Sequence, residues 1–149
     1  MKLHDSIERI LRQKGSEVYS ISPQATVYEA LEKLAERDVG ALLVMDGTDL
    51  IGILSERDYV RKVILKGHSS KDLKVEEIMT SPPVTVTLTS TVDECMHCMT
   101  TKRCRHLPVM GRGEVVGLVS IGDLVNWIMT VQDVTIHQLE DYISGKYPA

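Results

Sequence analysis

Two stretches of this 149-residue chain bring a hydroxyl, a carboxylate and a helix start together: Gly52-Ile-Leu-Ser55-Glu-Arg-Asp58 and Gly117-Leu-Val-Ser120-Ile-Gly-Asp123. Each reads as an apolar strand that hands a serine to the first turn of a helix. A serine hydroxyl beside the unpaired backbone N–H groups of a helix start suits a phosphate. The aspartate three residues on lies on that same first turn, where its two oxygens can accept both hydroxyls of a ribose. The same two residues also make a plain helix cap with a first-turn acid. A second copy in register favours the chemical use. Arg57, beside Asp58, either reaches a phosphate or pairs with a surface acid; Gly122 holds the corresponding place in the second copy.

A rival centre is Cys95-Met-His97-Cys98, with Cys104 and His106 close by in sequence. Thiolates and imidazoles that converge can hold a metal or carry redox chemistry. No second Cys-x-x-Cys completes a four-ligand set, and His4, His68 and His137 are scattered. The usual catalytic signatures are missing as well: there is no Gly-Lys-Ser phosphate loop and no Gly-x-Ser-x-Gly elbow. The expectation is no catalytic residue, no resident metal and no enzyme.

The elements that position these groups come in duplicate. An offset of 65 residues superposes the sequence on itself without a gap. Identities fall at Thr26/Thr91, Val27/Val92, Glu29/Glu94, Leu42/Leu107, Val44/Val109, Met45/Met110, Gly52/Gly117, Ser55/Ser120, Asp58/Asp123 and Val60/Val125. The offset also matches Cys95 to Ala30, Cys98 to Lys33 and Cys104 to Val39, which makes Cys95 a small core residue rather than a ligand.

Each copy reads as strand, helix, strand, strand, helix. In the first, Val18 to Ser22 is extended ahead of Pro23, and Thr26 caps a helix to about Arg37 whose Val27, Ala30, Leu31 and Leu34 share one face. Val39 to Met45 and Leu50 to Leu54 form a hairpin, and Ser55 opens a helix running to about Lys66 with Gly67 at its end. The second copy predicts a strand at Val84 to Thr87, a helix at Val92 to Lys102, strands at Cys104 to Met110 and Glu114 to Val119, and a helix from Ser120. Asp5 is placed to cap a helix over Ser6 to Lys14, and a tail helix is expected from about Val134 to Ser144. The fold class is therefore α+β, α/β by content: two pseudo-symmetric β-α-β-β-α repeats packed sheet to sheet, with flanking N- and C-terminal helices. The expected divisions are 1–16, 17–70, 71–130 and 131–149. Ile7, Ile10, Leu11, Leu139, Tyr142 and Ile143 on the flanks need a docking surface, for which a second subunit is one candidate.

Bulk composition narrows the partners. A net charge of -4 argues against a nucleic-acid backbone or an anionic membrane surface as the main partner. No apolar run reaches the roughly 18 residues of a membrane span, and the first fifteen residues are charged throughout, so the cytoplasm is the expected compartment. Three cysteines in one segment make no disulfide framework.

With these residues in view, the chain resembles the CBS-domain family of tandem regulatory repeats. The likeness is carried by Gly52–Asp58 and Gly117–Asp123, by Arg105-His-Leu-Pro-Val109, and by Ile78-Met-Thr80 leading into Pro83-Val84. It implies a small stand-alone module with two nucleotide clefts that binds AMP, ATP or NAD as an energy sensor. It also implies pairing into a homodimer and action on a regulated protein expected to be separate, since no effector domain is attached. The resemblance groups Ser55, Arg57 and Asp58 with Thr80, Ser81, Pro83 and Val84, and with Arg103, Arg105 and His106 for the phosphates. It groups Ser120 and Asp123 with Lys14, Gly15, Val18, Tyr19, Val39 and Gly40. Lys14-Gly15 is also readable as a simple helix end. On this grouping the Asp58 cleft is the better charged. The alternatives are a cysteine-based redox or metal-responsive regulator, and a dimerisation scaffold with empty clefts.

Overall fold

The computed structural model describes residues 2–130; the expected tail helix, with His137, Leu139, Tyr142 and Ile143, lies outside the described residues. A 3-10 turn, Lys2–His4, leads into α1 (Ile7–Lys14), β1 (Ser20–Ile21), α2 (Val27–Arg37), β2 (Ala41–Asp46) and β3 (Asp49–Ser55). Next come α3 (Glu56–Tyr59), continued by a π-helical turn at Val60–Ile64, then α4 (Val75–Ile78), β4 (Val86–Thr87), α5 (Val92–Lys102), β5 (His106–Gly111) and β6 (Glu114–Ser120). A last helix, α6, occupies 121–130 as far as the chain is described. The strands make two three-stranded sheets, ordered β1-β2-β3 and β4-β5-β6, which is the α+β repeat fold expected.

The described residues gather into two compact units, neither of them a continuous stretch. The first holds Ser16–Thr85 and Pro108–Leu118. In it, β1 runs parallel to β2 with Ser20 opposite Leu43, and β2 pairs antiparallel with β3, from Ala41 opposite Ser55 to Asp46 opposite Asp49. Four successive residues of β2, Ala41 to Val44, are buried on both strand faces, which is why that run is continuously apolar rather than alternating. Thr26 caps α2 by accepting from the Glu29 N–H at 3.1 Å. The buried stripe Val27, Ala30 and Leu34 packs against Leu42, Val44 and Leu54, and against Val63, Val75 and Ile78.

The second unit holds 2–15, 86–107 and 119–130 of the described residues. Thr91 caps α5 in a reciprocal box with Glu94. Ile7, Ile10 and Leu11 of α1 are buried in it, as are Val92, Cys95 and Met99 of α5 and Leu124 of α6.

Each unit is discontinuous in sequence because each repeat's leading segment is stitched to the other repeat's helix. The N–H of Ile7 donates to the Ser90 carbonyl (2.8 Å) and that of Val92 to the Asp5 carbonyl (3.0 Å), tying α1 to the start of α5. In the same way Val75 donates to Ala25 (2.8 Å) and Val27 to Leu73 (2.9 Å), tying α4 to the start of α2.

Local expectations are corrected in five places. The α1 cap residue is Ser6, with no side-chain cap bond, because the Asp5 carboxylate instead accepts from the Trp127 indole (3.1 Å) and pairs with Arg9 (2.8 Å). The first strand of each copy shortens to two residues. The helix expected to run from Glu56 to Lys66 widens to a π turn after Tyr59, although Gly67 does take the left-handed position (φ 73°) that ends it. The strands expected from Val39 and Cys104 begin at Ala41 and His106, since the Val39 and Cys104 N–H groups are bound to the Leu34 and Met99 carbonyls as part of the α2 and α5 endings. Helix α4 was not expected at all; it is a single turn, too short to show a period.

Candidate functional site

Both serine–aspartate pairs sit at a strand-to-helix junction and close into reciprocal caps. At the first, the Asp58 N–H donates to Ser55 Oγ (3.3 Å), while Asp58 Oδ2 accepts from the Ser55 N–H (2.9 Å) and hydroxyl (3.1 Å). At the second, the Asp123 N–H donates to Ser120 Oγ (3.1 Å) and Asp123 Oδ2 accepts from the Ser120 N–H (2.8 Å). The amides expected to greet a phosphate are largely spent: Glu56 N–H donates to the Gly40 carbonyl (3.1 Å) and Ile121 N–H to the Arg105 carbonyl (2.9 Å). What each junction still presents is a carboxylate, 13% exposed at Asp58 and 22% at Asp123.

The two carboxylates draw their counter-ions from different places. Asp58 Oδ1 accepts from Thr80 Oγ1 (3.2 Å) and faces Lys62 Nζ (3.1 Å), a lysine one turn along the same helix that also donates to the Ile78 carbonyl (2.9 Å). Asp123 Oδ2 faces Lys14 Nζ at 2.6 Å, from the last residue of α1. Under the repeat offset Trp127 replaces Lys62 and Met79 replaces Lys14, so the exchange is built into the sequence. Gly15 ends α1 with φ 96°. Lys14-Gly15 is thus both a helix end and a neighbour of Asp123.

Thr80 is held where it is by β3: it exchanges backbone hydrogen bonds with Ile53 (3.1 and 2.9 Å), and Ser81 Oγ donates to the Ile51 carbonyl (2.7 Å). Gly52 allows this approach. A β-carbon there would stand 2.7 Å from the Met79 sulfur and 3.0 Å from the Thr80 carbonyl oxygen. Pro83 and Val84 follow, half-buried, in the same unit, and Arg57 is half-buried on the first turn of α3.

The remaining candidates divide between the two units. Arg103, Arg105 and His106 belong to the unit of Asp123, not to that of Asp58, and the Arg105 carbonyl meets the first amide of the Asp123 helix. Val39 and Gly40 belong to the unit of Asp58, and the Gly40 carbonyl meets the first amide of the Asp58 helix. The reason is the hairpin itself: Ala41 opposite Ser55 leaves the residues just before β2 beside those just after β3. Arg103, Arg105, His106 and Asp123 share one unit. Val18 and Tyr19 also lie in the Asp58 unit, where the Tyr19 carbonyl accepts from the Leu43 N–H (3.0 Å). The Arg37 guanidinium lies over the Tyr19 ring, 5.1 Å from its centre, and a hydrogen bond with Glu17 pushes the phenol's pKa up.

Among the described residues no three His, Cys, Asp or Glu side chains gather to hold a metal ion. Cys95 is fully buried and burial pushes its thiol up to about 12, far from the thiolate a redox centre uses. Cys98 and Cys104 are half-buried, and all three thiols are free.

The CBS domain family matches residues 7–65 and 75–130. The Arabidopsis thaliana CBS domain-containing protein CBSX3, mitochondrial, is 41% identical over 127 residues, which cover 82% of this chain and 62% of that protein. A protein with CBS domains from Burkholderia ambifaria has a solved structure that covers 85% of this chain and 95% of its own at 46% identity, with a TM-score of 0.82. The CBS domain protein from Pyrobaculum aerophilum solved in complex with AMP covers 80% and 89% at 27% identity, with a TM-score of 0.71. The chain thus spans under two thirds of its Arabidopsis relative, and it matches the family twice, once in each repeat. It belongs to the CBS domain family, as a tandem pair.

Proposed function

We propose that this chain is a non-catalytic regulatory module that binds an adenine nucleotide of the AMP, ATP or NAD class and passes its occupancy to a separate partner protein, as an energy sensor does. The observation that carries this is the repeated, partly exposed carboxylate at the strand-to-helix junction, Asp58 and Asp123, a group whose two oxygens suit the vicinal hydroxyls of a ribose. The AMP complex of the Pyrobaculum relative supports the ligand class. The proposed repeat boundaries are 17–70 and 71–130.

The two sites are unequal. At Asp123 the ligand meets Ser120, Lys14 and Gly15, with Arg103, Arg105 and His106 to bind phosphate by charge-assisted hydrogen bonds. At Asp58 it meets Ser55, Arg57, Thr80, Ser81, Pro83 and Val84, and competes with Lys62 for Oδ1. A ribose hydroxyl on Asp123 Oδ2 takes the place of the Lys14 ammonium and releases the end of α1, so occupancy changes a contact of that helix. Regulation follows only if the ligand binds one arrangement better than the other.

A homodimer is the proposed assembly. Apolar side chains are exposed at corresponding places in both repeats, Val60 with Val125 and Ile64 with Met129, and Leu65 is 73% exposed beside them. Water-facing apolar clusters of this kind mark interaction surfaces. Among the described residues no helix is long and apolar enough to cross a membrane. Three free thiols favour a reducing compartment, the cytoplasm, although the plant relative bears the word mitochondrial in its name.

Titration calorimetry with AMP and 2′-deoxy-AMP tests the ligand chemistry. The deoxy compound is expected to bind at least tenfold more weakly, about 1.4 kcal/mol for a lost hydroxyl contact to a charged acceptor. Equal affinity would remove the ribose from the carboxylates.

A further inference from the structure

The ending of α5 carries chemistry that nucleotide binding does not use. Arg103 is left-handed (φ 55°, ψ 45°), and the chain folds back so that the Cys104 N–H reaches the Met99 carbonyl at 3.1 Å. In this kind of helix ending the residue after the left-handed one lays its side chain over the last turn, against the residues five and six positions back. Those are Met99, which is buried, and Cys98, which is half-buried like Cys104. The first repeat ends α2 in the same way, with Asp38 left-handed and Val39 bound to Leu34 at 3.1 Å, but there the corresponding pair is Lys33 and Val39. Only the second repeat has put a thiol at both places. Burial first and the neighbouring Cys98 second raise the Cys104 thiol, which agrees with the two groups being neighbours.

We propose that Cys98 and Cys104 form an intramolecular disulfide when the protein meets a hydroperoxide, making the α5 ending an oxidation-sensitive clasp. Cys98 attacks the distal peroxide oxygen, the O–O bond breaks, and the sulfur becomes a sulfenic acid while the peroxide leaves as water or an alcohol. Cys104 then attacks that sulfur, the S–O bond breaks, and hydroxide leaves as water with the proton from the second thiol. The two thiols lose two protons and two electrons, and the peroxide gains them. Cys95, fully buried with its thiol pushed up to about 12, stays out of the exchange. The clasp spans Arg103 and ends beside Arg105, so it fixes the backbone that carries two of the proposed phosphate-binding cations; this consequence rests on the nucleotide assignment above, whereas the disulfide does not.

The test is a non-reducing peptide mass map of the whole protein after a modest excess of hydrogen peroxide. A loss of about 2 Da, a linked Cys98–Cys104 peptide and full reversal by dithiothreitol are expected. Cys98→Lys and Cys104→Val copy the first repeat, so they keep a side chain that this helix ending already accommodates, and each should abolish the link; Cys95→Ala, copying Ala30, should retain it. Linkage to Cys95, linkage between chains, or oxygen addition without a link would overturn the proposal. AMP titration of both redox forms then reads the consequence: a change in affinity of threefold or more, on the order of 0.7 kcal/mol, supports the clasp as a regulator, and equal affinities refute that role. Should the reduced protein bind none of AMP, ATP and NAD, the nucleotide assignment falls while the mass map still decides the disulfide.

Discussion

Replacing Asp123 by alanine separates its two roles, because the structure assigns a size to one and chemistry assigns a size to the other. In the folded protein the carboxylate accepts the Ser120 N–H at 2.8 Å and faces Lys14 at 2.6 Å. Loss of such a cap costs about 1 kcal/mol, within a range of roughly 0.5–2. The Lys14 pair is partly exposed on both sides and adds at most about 1 kcal/mol after solvent screening. A total of about 1–2 kcal/mol lowers the melting temperature of a chain this size by roughly 2–8 °C. The effect on ligand is larger. Two hydroxyl contacts to a charged acceptor are worth about 3 kcal/mol or more, over a hundredfold in affinity. Circular-dichroism melts and AMP titrations of parent, Asp123→Ala and Asp123→Asn give both numbers. The asparagine variant keeps an acceptor for the Ser120 amide, so it should melt closer to the parent yet still bind AMP poorly. Asp123→Ala with the predicted loss of stability and AMP affinity within twofold of the parent would reduce the residue to a helix cap.

Gly52→Ala should cost about 1–3 kcal/mol by crowding Met79 and the Thr80 carbonyl, and should weaken any ligand at Asp58 by shifting Thr80; a urea melt and a titration read the two effects. At pH 8 iodoacetamide should label Cys98 first and Cys95 last, because a thiol at about 12 is almost wholly protonated there; timed peptide mapping gives the order, and early labelling of Cys95 would contradict its burial.

Much of the architecture is legible in the residues because it depends on local chemistry repeated twice. Thr26 and Thr91 cap α2 and α5 as their types require, and the Ser-x-x-Asp pairs close as reciprocal caps. The backbone neighbours of each Ser-x-x-Asp helix are legible in the hairpin. Once Ala41 faces Ser55, Gly40 has to lie beside the Asp58 helix, and the repeat offset puts Arg105 beside the Asp123 helix. Asp5 departs from the expected cap because its indole partner, Trp127, is 122 residues away, and no local pattern announces it. The exchange of leading segments, α1 onto α5 and α4 onto α2, is likewise a long-range choice. It is made by buried faces such as Ile7 and Val75 that look alike in sequence.

The claim that matters most is that this CBS pair holds an adenine nucleotide. The direct measurement is thermal unfolding of the intact protein, reduced, against AMP, ADP, ATP, NAD, S-adenosylmethionine and GTP. A ligand at 100 times its dissociation constant adds about 2.7 kcal/mol, roughly 5–11 °C for a chain of this size. A rise of that order is expected for at least one adenine nucleotide and none for GTP; melting temperatures unmoved by every adenine compound, at millimolar concentration, would contradict nucleotide binding.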